Sequence, residues 1–546
     1  MTFDEYYFNL VYDVLTTGEV SSNRTGIDTL YKNGLYMEFD MAEGFPLLTT
    51  KKVPWKSAFG EMLGFIRGYT NAADFRKLGC NVWNANANEN TEWLNNPNRK
   101  GIDDLQRIYG YRWRNWHNWT EIVPRKEEKP VQIPPHVVVS EQLPIIFSTS
   151  PYATKVGNVY KTKTCGELRV IEYLIEKGRY KIQFIRSGYV KEVGSSELTT
   201  NINRCRIKDP YYPTWANIGI QGEKTSEELT ELLLPTWRQM LNRCYAPSQQ
   251  KCNNWYINTW VCNRWLEFEN FAEDAQKLPR WHLKILEPKM YTLDKDYLGG
   301  KYYGPGTCRW STNSEQMINS SNCATIKISN SAGGYFLAKG VRPISELLEN
   351  NISLIQNCLN KTQHQSKGYT FEYVNEFVSY SKVDQVKEVY AKIKSNYDDR
   401  RLIIEGWHPA ELDMQALPVC HKSLQFSLRN NKTTLDLFIY VRSNDVGLGM
   451  PFNVAQYAWL LHLMAKITNH TPGKLLYFAM NYHIYINHIE PLKELLTRKW
   501  KETPILILDD CVTDLNFLET TELPIDSWTH IENYDPWPNI KMEMAV

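Results

Sequence analysis

No stretch of this 546-residue chain is apolar enough to span a bilayer: the longest candidate, Tyr457 to Ile467, is interrupted by His462 and Lys466. Net charge is almost absent. The chain has 62 Lys+Arg against 61 Asp+Glu, a formal +1, which argues neither for bulk polyanion binding nor for an acidic protein. The eleven cysteines keep no regular spacing, and no pair among Cys244, Cys252, Cys262 and Cys308 has the Cys-x-x-Cys separation of a zinc site. Met1-Thr2-Phe3-Asp4-Glu5 does not read as a signal peptide, and no short-period repeat is found. The expectation is a soluble cytoplasmic protein with reduced thiols, no metal and no membrane association.

What is present is length. At 546 residues with 42% hydrophobic content, two or three domains are expected. The neutral average hides opposed parts. Trp119 to Glu372 carries 32 Lys+Arg against 25 Asp+Glu, about +7, and the remainder 30 against 36, about −6. The first 118 residues mix patterns: an amphipathic helix from Asp4 to Leu15, an extended run from Thr29 to Phe39 and a helix from Trp55 to Gly68. Five prolines and the charged run Arg125 to Lys129 between Ile122 and Pro144 read as a linker, placing a boundary near Asn118. Mixed patterning returns with a helix from Val383 to Asn396 and strands Ser423 to Leu428 and Thr434 to Val441. After Pro451, the segment Asn453 to Ile467 is apolar around most of a helix and should be buried. Neither flank looks complete, so one α+β domain split by an insertion is expected: 1–118 and 375–546 as host, 119–374 as insert.

The flanks hold the chemistry. A cysteine is a useful nucleophile only as thiolate, a form that a nearby guanidinium stabilises. Cys420 and Arg442 could be such a pair, although a lone cysteine is more often a small buried apolar residue. Arg24, Arg400, Arg401 and Arg442 could clamp a phosphate bidentately, or be ordinary surface arginines. Asn453 could read a lactam edge, donating to its carbonyl and accepting from its ring N–H; it could equally cap the helix after Pro451-Phe452. His483 and Tyr485 share a strand face and could hold sugar hydroxyls or simply be a half-buried pair. Glu61, in an otherwise apolar helix, is a paired buried acid or a proton-transfer group.

The flanks resemble the thymidylate synthase family through Asn23-Arg24-Thr25-Gly26, Phe45-Pro46-Leu47-Leu48-Thr49-Thr50-Lys51-Lys52, Tyr109-Gly110-Tyr111-Arg112-Trp113-Arg114, Asp398-Asp399-Arg400-Arg401, Cys420-His421, Arg442-Ser443-Asn444-Asp445, Pro451-Phe452-Asn453, His483-Ile484-Tyr485 and the terminus Tyr534-Asp535-Pro536 to Ala545-Val546. The resemblance covers roughly residues 1–118 and 380–546. It implies a mixed sheet with surrounding helices, a homodimer, and transfer of a one-carbon unit from 5,10-methylenetetrahydrofolate to carbon 5 of dUMP. Cys420 matches the nucleophile that adds to carbon 6. Arg24, Arg442 and Ser443 match phosphate ligands, and Arg400 and Arg401 match the pair reaching into the other subunit's site. His421, Asn453, His483 and Tyr485 fall among substrate-binding positions, and Glu61 matches the acid that organises proton transfer. Trp83, Tyr109 and Asp445 match folate-side positions, Asp445 and Arg442 also counting as catalytic, and Val546 matches the residue that closes over the ligands.

Several positions depart from the family pattern: Gly64 for Trp, Val419 for a second Pro, Gly447 for a bulky residue, and Met480-Asn481-Tyr482 before the His-x-Tyr. Some phage relatives let water capture the exocyclic intermediate, giving hydroxymethyl-dUMP or hydroxymethyl-dCMP. Asn453 disfavours the cytosine version, but small residues at 64 and 447 could admit that water. The alternative is therefore a dUMP hydroxymethyltransferase, acting in the host cytoplasm if phage-encoded.

In the insert, basic and aromatic residues interleave in Trp237 to Tyr245, Val261 to Phe271, Leu293 to Asp296 and Cys308-Arg309-Trp310. Such interleaving suits phosphate contact with base stacking, or else an aromatic core with solvated arginines. The ordering is similar to that of phage homing endonucleases of the His-Asn-His group. Lys327-Ile328, a helix from Ile344 to Asn350 and Gly368-Tyr369-Thr370-Phe371 resemble their helix-turn-helix tail. Lys295 stands near where the catalytic histidine is expected, so DNA binding with cleavage impaired or absent is anticipated. A protein that binds DNA through this insert, with an inactive host, is the reading from a second class.

Overall fold

The computed structural model describes residues 2–22, 26–96, 98–121, 142–247, 256, 259–298, 300–320, 323–330, 334–375, 378–397 and 399–543. It divides into two compact units, residues 1–118 with 382–546 and residues 119–381. The expected proline-rich linker falls largely outside the described residues. Among the described residues, no helix is long and apolar enough to cross a membrane.

The first unit is built on a six-stranded sheet. Its strands are β1 (Glu19–Ser21), β2 (Thr29–Asp40), β3 (Ile403–Glu405), β4 (His421–Arg429), β5 (Thr434–Asp445) and β6 (Thr471–Tyr485), in the spatial order β1-β2-β6-β5-β4-β3. Every pairing is antiparallel except β5 with β6. A parallel pair needs a crossover. Helix α5 (Gly449–Thr468) supplies it, while α1 (Phe3–Thr17), α2 (Trp55–Ile66), α3 (Tyr109–Arg114) and α4 (Gln385–Lys394) pack around the sheet.

Helix α5 is buried around nearly its whole surface, as its apolar circumference requires. It starts four residues before the expected Asn453. Pro451 is therefore inside the first turn, where a missing N–H leaves no helical bond unmade. Trp459 of α5 stacks on Phe59 of α2, ring centroids 4.5 Å apart and planes within 2°. At the start of α1, Asp4 accepts from the backbone and hydroxyls of both Thr49 and Thr50 at 2.7–3.1 Å. That anchor fixes the course of the segment carrying Lys51.

The second unit begins with a four-stranded antiparallel sheet, Val159–Lys161, Glu167–Leu174, Arg179–Phe184 and Val190–Val193. At its other end, strands Tyr335–Lys339, Thr325–Asn330 and Tyr369–Val374 form a sheet whose core is shared with helices Val341–Leu348 and Ile352–Leu359. Between them the structure bears on the two readings of the interleaved aromatics. Trp237, Trp265, Phe268, Phe271 and Trp310 are core residues, and Arg264 pairs with Asp274 and Glu273 at 2.7 Å. The interleaved aromatics therefore pack with one another and are not displayed for base stacking.

Candidate active site

Because β5 and β6 are parallel, their C-terminal ends lie side by side, with Asp445 opposite His483 and Ser443 opposite Asn481. The crossover helix starts four residues after β5 ends, so Asn453 comes up beside the strand end. Strand β4 runs antiparallel to β5 and begins at His421, opposite Val441. The residue just before it, Cys420, is delivered to the same edge. Ligands of sheets with parallel strands gather outside such strand ends.

Here that region is a cavity of about 440 Å³, a size suited to a nucleotide-scale ligand. Its walls include Cys420, His421, Ser443, Asp445, Asn453, Tyr485, Glu61, Trp83 and Tyr109. The Cys420 backbone N–H donates to the Tyr109 hydroxyl at 2.7 Å, which fixes the loop carrying the thiol against α3. Arg442 donates from its guanidinium to the carbonyls of Val419 (2.9 Å) and Pro418 (3.0 Å), and its backbone N–H donates to the carbonyl of Cys420 (2.9 Å). A cation is thus tied to the chain immediately before the thiol.

Burial sets the protonation states. It raises the Glu61 carboxyl to about 7, against the opposing pull of a 2.6 Å hydrogen bond from Gln456 Nε2 and of the nearby Trp83 indole. The Trp83 N–H itself is buried and lacks a well-aligned hydrogen bond within the described chain. Burial lowers His421 to about 4, so its ring is neutral; Nδ1 shares a 2.8 Å hydrogen bond with the Tyr457 hydroxyl. For Asp445, burial would raise the carboxyl, but His488, with Nδ1 3.7 Å away, and the Gly447 N–H hold it below its ordinary value. Burial lowers Lys51 to about 8; its ammonium donates to the Gly447 carbonyl.

Other expected residues lie elsewhere. His483 bonds Asn481 through Nδ1 at 2.9 Å and packs edge-on against Tyr485, without lining the cavity itself. Arg400 and Arg401 are exposed and also do not line it; Arg401 pairs with Asp399 at 2.7 Å. Arg24 and Val546 lie outside the described residues. Sequence reasoning gave no role to Lys51, Asn444, Gln456, Tyr457, Tyr477 or His488. Helical spacing could have found two of these, since Asn453, Gln456 and Tyr457 share one face of α5.

The unusual glycines do not open space. A Cβ on Gly64 would lie 2.3 Å from the Phe75 ring, and one on Gly447 2.6 Å from His488 Nδ1 and 3.1 Å from Met542 Sδ. Phe75, His488 and Met542 stand where a side chain at 64 or 447 would begin.

Fold and site together define a class: a thiol, an amide and a near-neutral carboxyl around a nucleotide-sized cavity at the ends of parallel strands. The family model described as thymidylate synthase matches residues 5–138 and 334–546, and the chain belongs to the thymidylate synthase family. The match runs past both boundaries of the first compact unit. Similar proteins include the thymidylate synthase of Pseudomonas syringae pv. tomato, 25% identical over 545 residues and covering 99% of each chain. The thymidylate synthase of Enterobacteria phage T4 is 42% identical over 182 residues, 32% of this chain and 62% of that one. The human thymidylate synthase is 43% identical over 164 residues, 30% of this chain and 50% of that one. Members of the family methylate carbon 5 of dUMP with 5,10-methylenetetrahydrofolate as one-carbon donor, and they are typically dimeric.

Proposed function

We propose that this chain converts dUMP to dTMP through a covalent adduct of Cys420. The observation that carries the reading is that Cys420, Asn453 and Glu61 line one cavity. The Cys420 thiolate adds to carbon 6 of the ring, which makes carbon 5 nucleophilic. Asn453 holds the ring's N–H and carbonyl, and Glu61, near neutrality at about 7, is suited to pass protons in either direction. Arg442, Ser443 and Arg24 hold the phosphate, and Tyr485 with His483 the sugar. Asp445 and Trp83 fit the folate: an ionised buried carboxylate can accept from an aminopyrimidine edge, and the Trp83 ring forms part of the cavity wall. 5,10-Methylenetetrahydrofolate supplies the one-carbon unit and the hydride that completes the methyl group.

Filled volume beside Gly64 and Gly447 favours methylation over capture by water. Mass analysis of the product decides: dTMP with dihydrofolate supports the proposal, and a nucleotide heavier by one oxygen with tetrahydrofolate establishes the hydroxymethyltransferase instead. Cys420→Ala should abolish turnover; if turnover survives, the covalent route is wrong. The exposed Arg400 and Arg401 are assigned to the phosphate site of a second subunit. Mixing a Cys420→Ala chain with an Arg400→Ala, Arg401→Ala chain should then restore activity lost in each alone, because a mixed dimer contains one intact site.

A second reading concerns residues 119–381. Helices Val341–Leu348 and Ile352–Leu359 are separated by three residues, with Glu349 left-handed at φ 49°, the shape of a helix-turn-helix. The second helix and its end expose Ser353, Asn357 and Asn360, side chains able to meet base edges. With the cationic excess of this segment, that favours duplex DNA as ligand. Binding in a gel shift should weaken steeply between low and moderate salt, and no shift at low salt removes the reading.

A further inference from the structure

Asn453 presents both an oxygen and a nitrogen to the cavity, and which faces which part of a pyrimidine decides what it reads. A lactam edge offers a ring N–H beside a carbonyl; an amino-pyrimidine edge offers a ring nitrogen beside an NH₂. For a ring held in one pose by addition of Cys420, the two edges need opposite turns of the same amide. An asparagine free to flip would therefore discriminate poorly.

Two buried residues restrict that freedom, beside His421, whose ring also interacts with Asn453. Tyr477, on β6 and 0% exposed, donates from its hydroxyl to Asn444 Oδ1 at 2.7 Å. Asn444, near the end of β5 and 3% exposed, donates from Nδ2 to Asn453 Oδ1 at 3.0 Å. Direction is imposed from the Tyr477 end. Among the described residues, that buried hydroxyl proton goes to Asn444 Oδ1. The Asn444 oxygen must face Tyr477, so its NH₂ faces Asn453, and Asn453 must answer with its oxygen. Turning Asn453 alone would set two NH₂ groups against each other. Turning both amides would leave the Tyr477 proton without its acceptor.

We infer that Asn444 and Tyr477 are positioning residues that lock the Asn453 amide in the orientation that reads a uracil-type edge and rejects a cytosine-type one. The inference rests on the proposed dUMP reading and deepens it. Both residues act through Asn453, Tyr477 from outside the cavity and Asn444 from its wall.

The test compares binding of dUMP and dCMP to the full-length chain by titration calorimetry, together with kcat/KM for dUMP. Tyr477→Phe and Asn444→Ala free the amide, and the preference for dUMP over dCMP should fall by about tenfold in each. Asn444→Asp makes a sharper demand. Its carboxylate still accepts from Tyr477 but offers Asn453 an acceptor instead of a donor, so the amide should turn over and the preference should fall further than in Asn444→Ala, toward dCMP. Loss of packing alone predicts no such ordering. If Tyr477→Phe and Asn444→Ala fold with wild-type thermal midpoints and keep the wild-type preference within about twofold, the lock does not exist. The same follows if Asn444→Asp favours dUMP as strongly as Asn444→Ala. A wild-type chain that neither binds nor converts dUMP overturns the substrate reading itself, and this inference with it.

Discussion

Glu61 gives a quantitative test of how burial sets chemistry at this site. Its carboxyl is raised to about 7 by desolvation, and the 2.6 Å hydrogen bond from Gln456 Nε2 is the main force pulling it down. Gln456→Leu keeps approximate volume and removes that donor. A hydrogen bond to a charged group contributes about 1.5–3 kcal/mol, and about 1.4 kcal/mol corresponds to one pH unit, so the Glu61 pKa should climb by about one to two units. In a kcat/KM profile for dUMP, the inflection near pH 7 should move to between about 8 and 9, and Glu61→Gln should abolish it. Stability provides an independent reading with a fixed sign. A carboxyl raised in the folded state binds its proton more tightly there than in the unfolded chain. Its contribution is thus fully present below the unfolded value of about 4.5 and is lost as pH rises through about 7. The difference in unfolding free energy between wild type and Glu61→Gln should change across that window and level off above it; in the Gln456→Leu background the loss should continue to higher pH. An inflection that stays within about 0.3 unit in Gln456→Leu, or persists in Glu61→Gln, would refute the assignment.

Two further predictions concern packing around the cavity. Gly64→Ala should destabilise by about 1–3 kcal/mol in denaturant unfolding, because the added Cβ would meet the Phe75 ring; no loss would mean that the space is open after all. Trp459→Ala removes a fully buried ring stacked on Phe59 and should cost about 3–5 kcal/mol by the same measurement, with dUMP affinity changed far less than stability.

The sequence made the host's elements legible where periodicity was strong. The helix expected from Asp4 to Leu15 is Phe3–Thr17, and the strand expected from Thr434 to Val441 continues to Asp445. The extension matters, because alternation fades where Arg442, Ser443, Asn444 and Asp445 turn toward function, and pattern alone stops short there. Cys420 and Asn453 were legible through motifs. Gln456, Tyr477 and His488 were not, since a polar residue in a buried helix or strand carries no signal until its partner from another element is known. At Gly64 and Gly447 a missing side chain reads as a vacancy in one dimension, whereas Phe75, His488 and Met542 stand against the two glycines in three. In the insert, interleaved aromatics and arginines fitted an interface or a small core equally well in sequence, and the pairing of Arg264 with Asp274 shows the core.

How the host tolerates an interruption follows from where its cut ends lie. Arg114, four residues before the boundary at Asn118, donates from Nε to Asp384 Oδ2 at 2.9 Å, and its Nη2 pairs with Glu519 at 2.5 Å. Gln385 Nε2 donates to the carbonyls of Arg112 and Glu405, both at 3.0 Å. The exit and return points are therefore held together by the host's own side chains. Loop-closure entropy grows only with the logarithm of length, about 0.6 kcal/mol per doubling, so even several doublings from a short connection add only about 3–4 kcal/mol. A segment that folds compactly between its ends adds less still. Replacing residues 119–381 with a short Gly/Ser linker should accordingly leave a folded host that turns over dUMP within about tenfold of the full chain. Arg114→Ala combined with that excision should lower the thermal midpoint. If the excised chain folds with its cavity residues intact yet has no activity, residues 119–381 contribute to the reaction itself, and their role as a tolerated insertion is wrong.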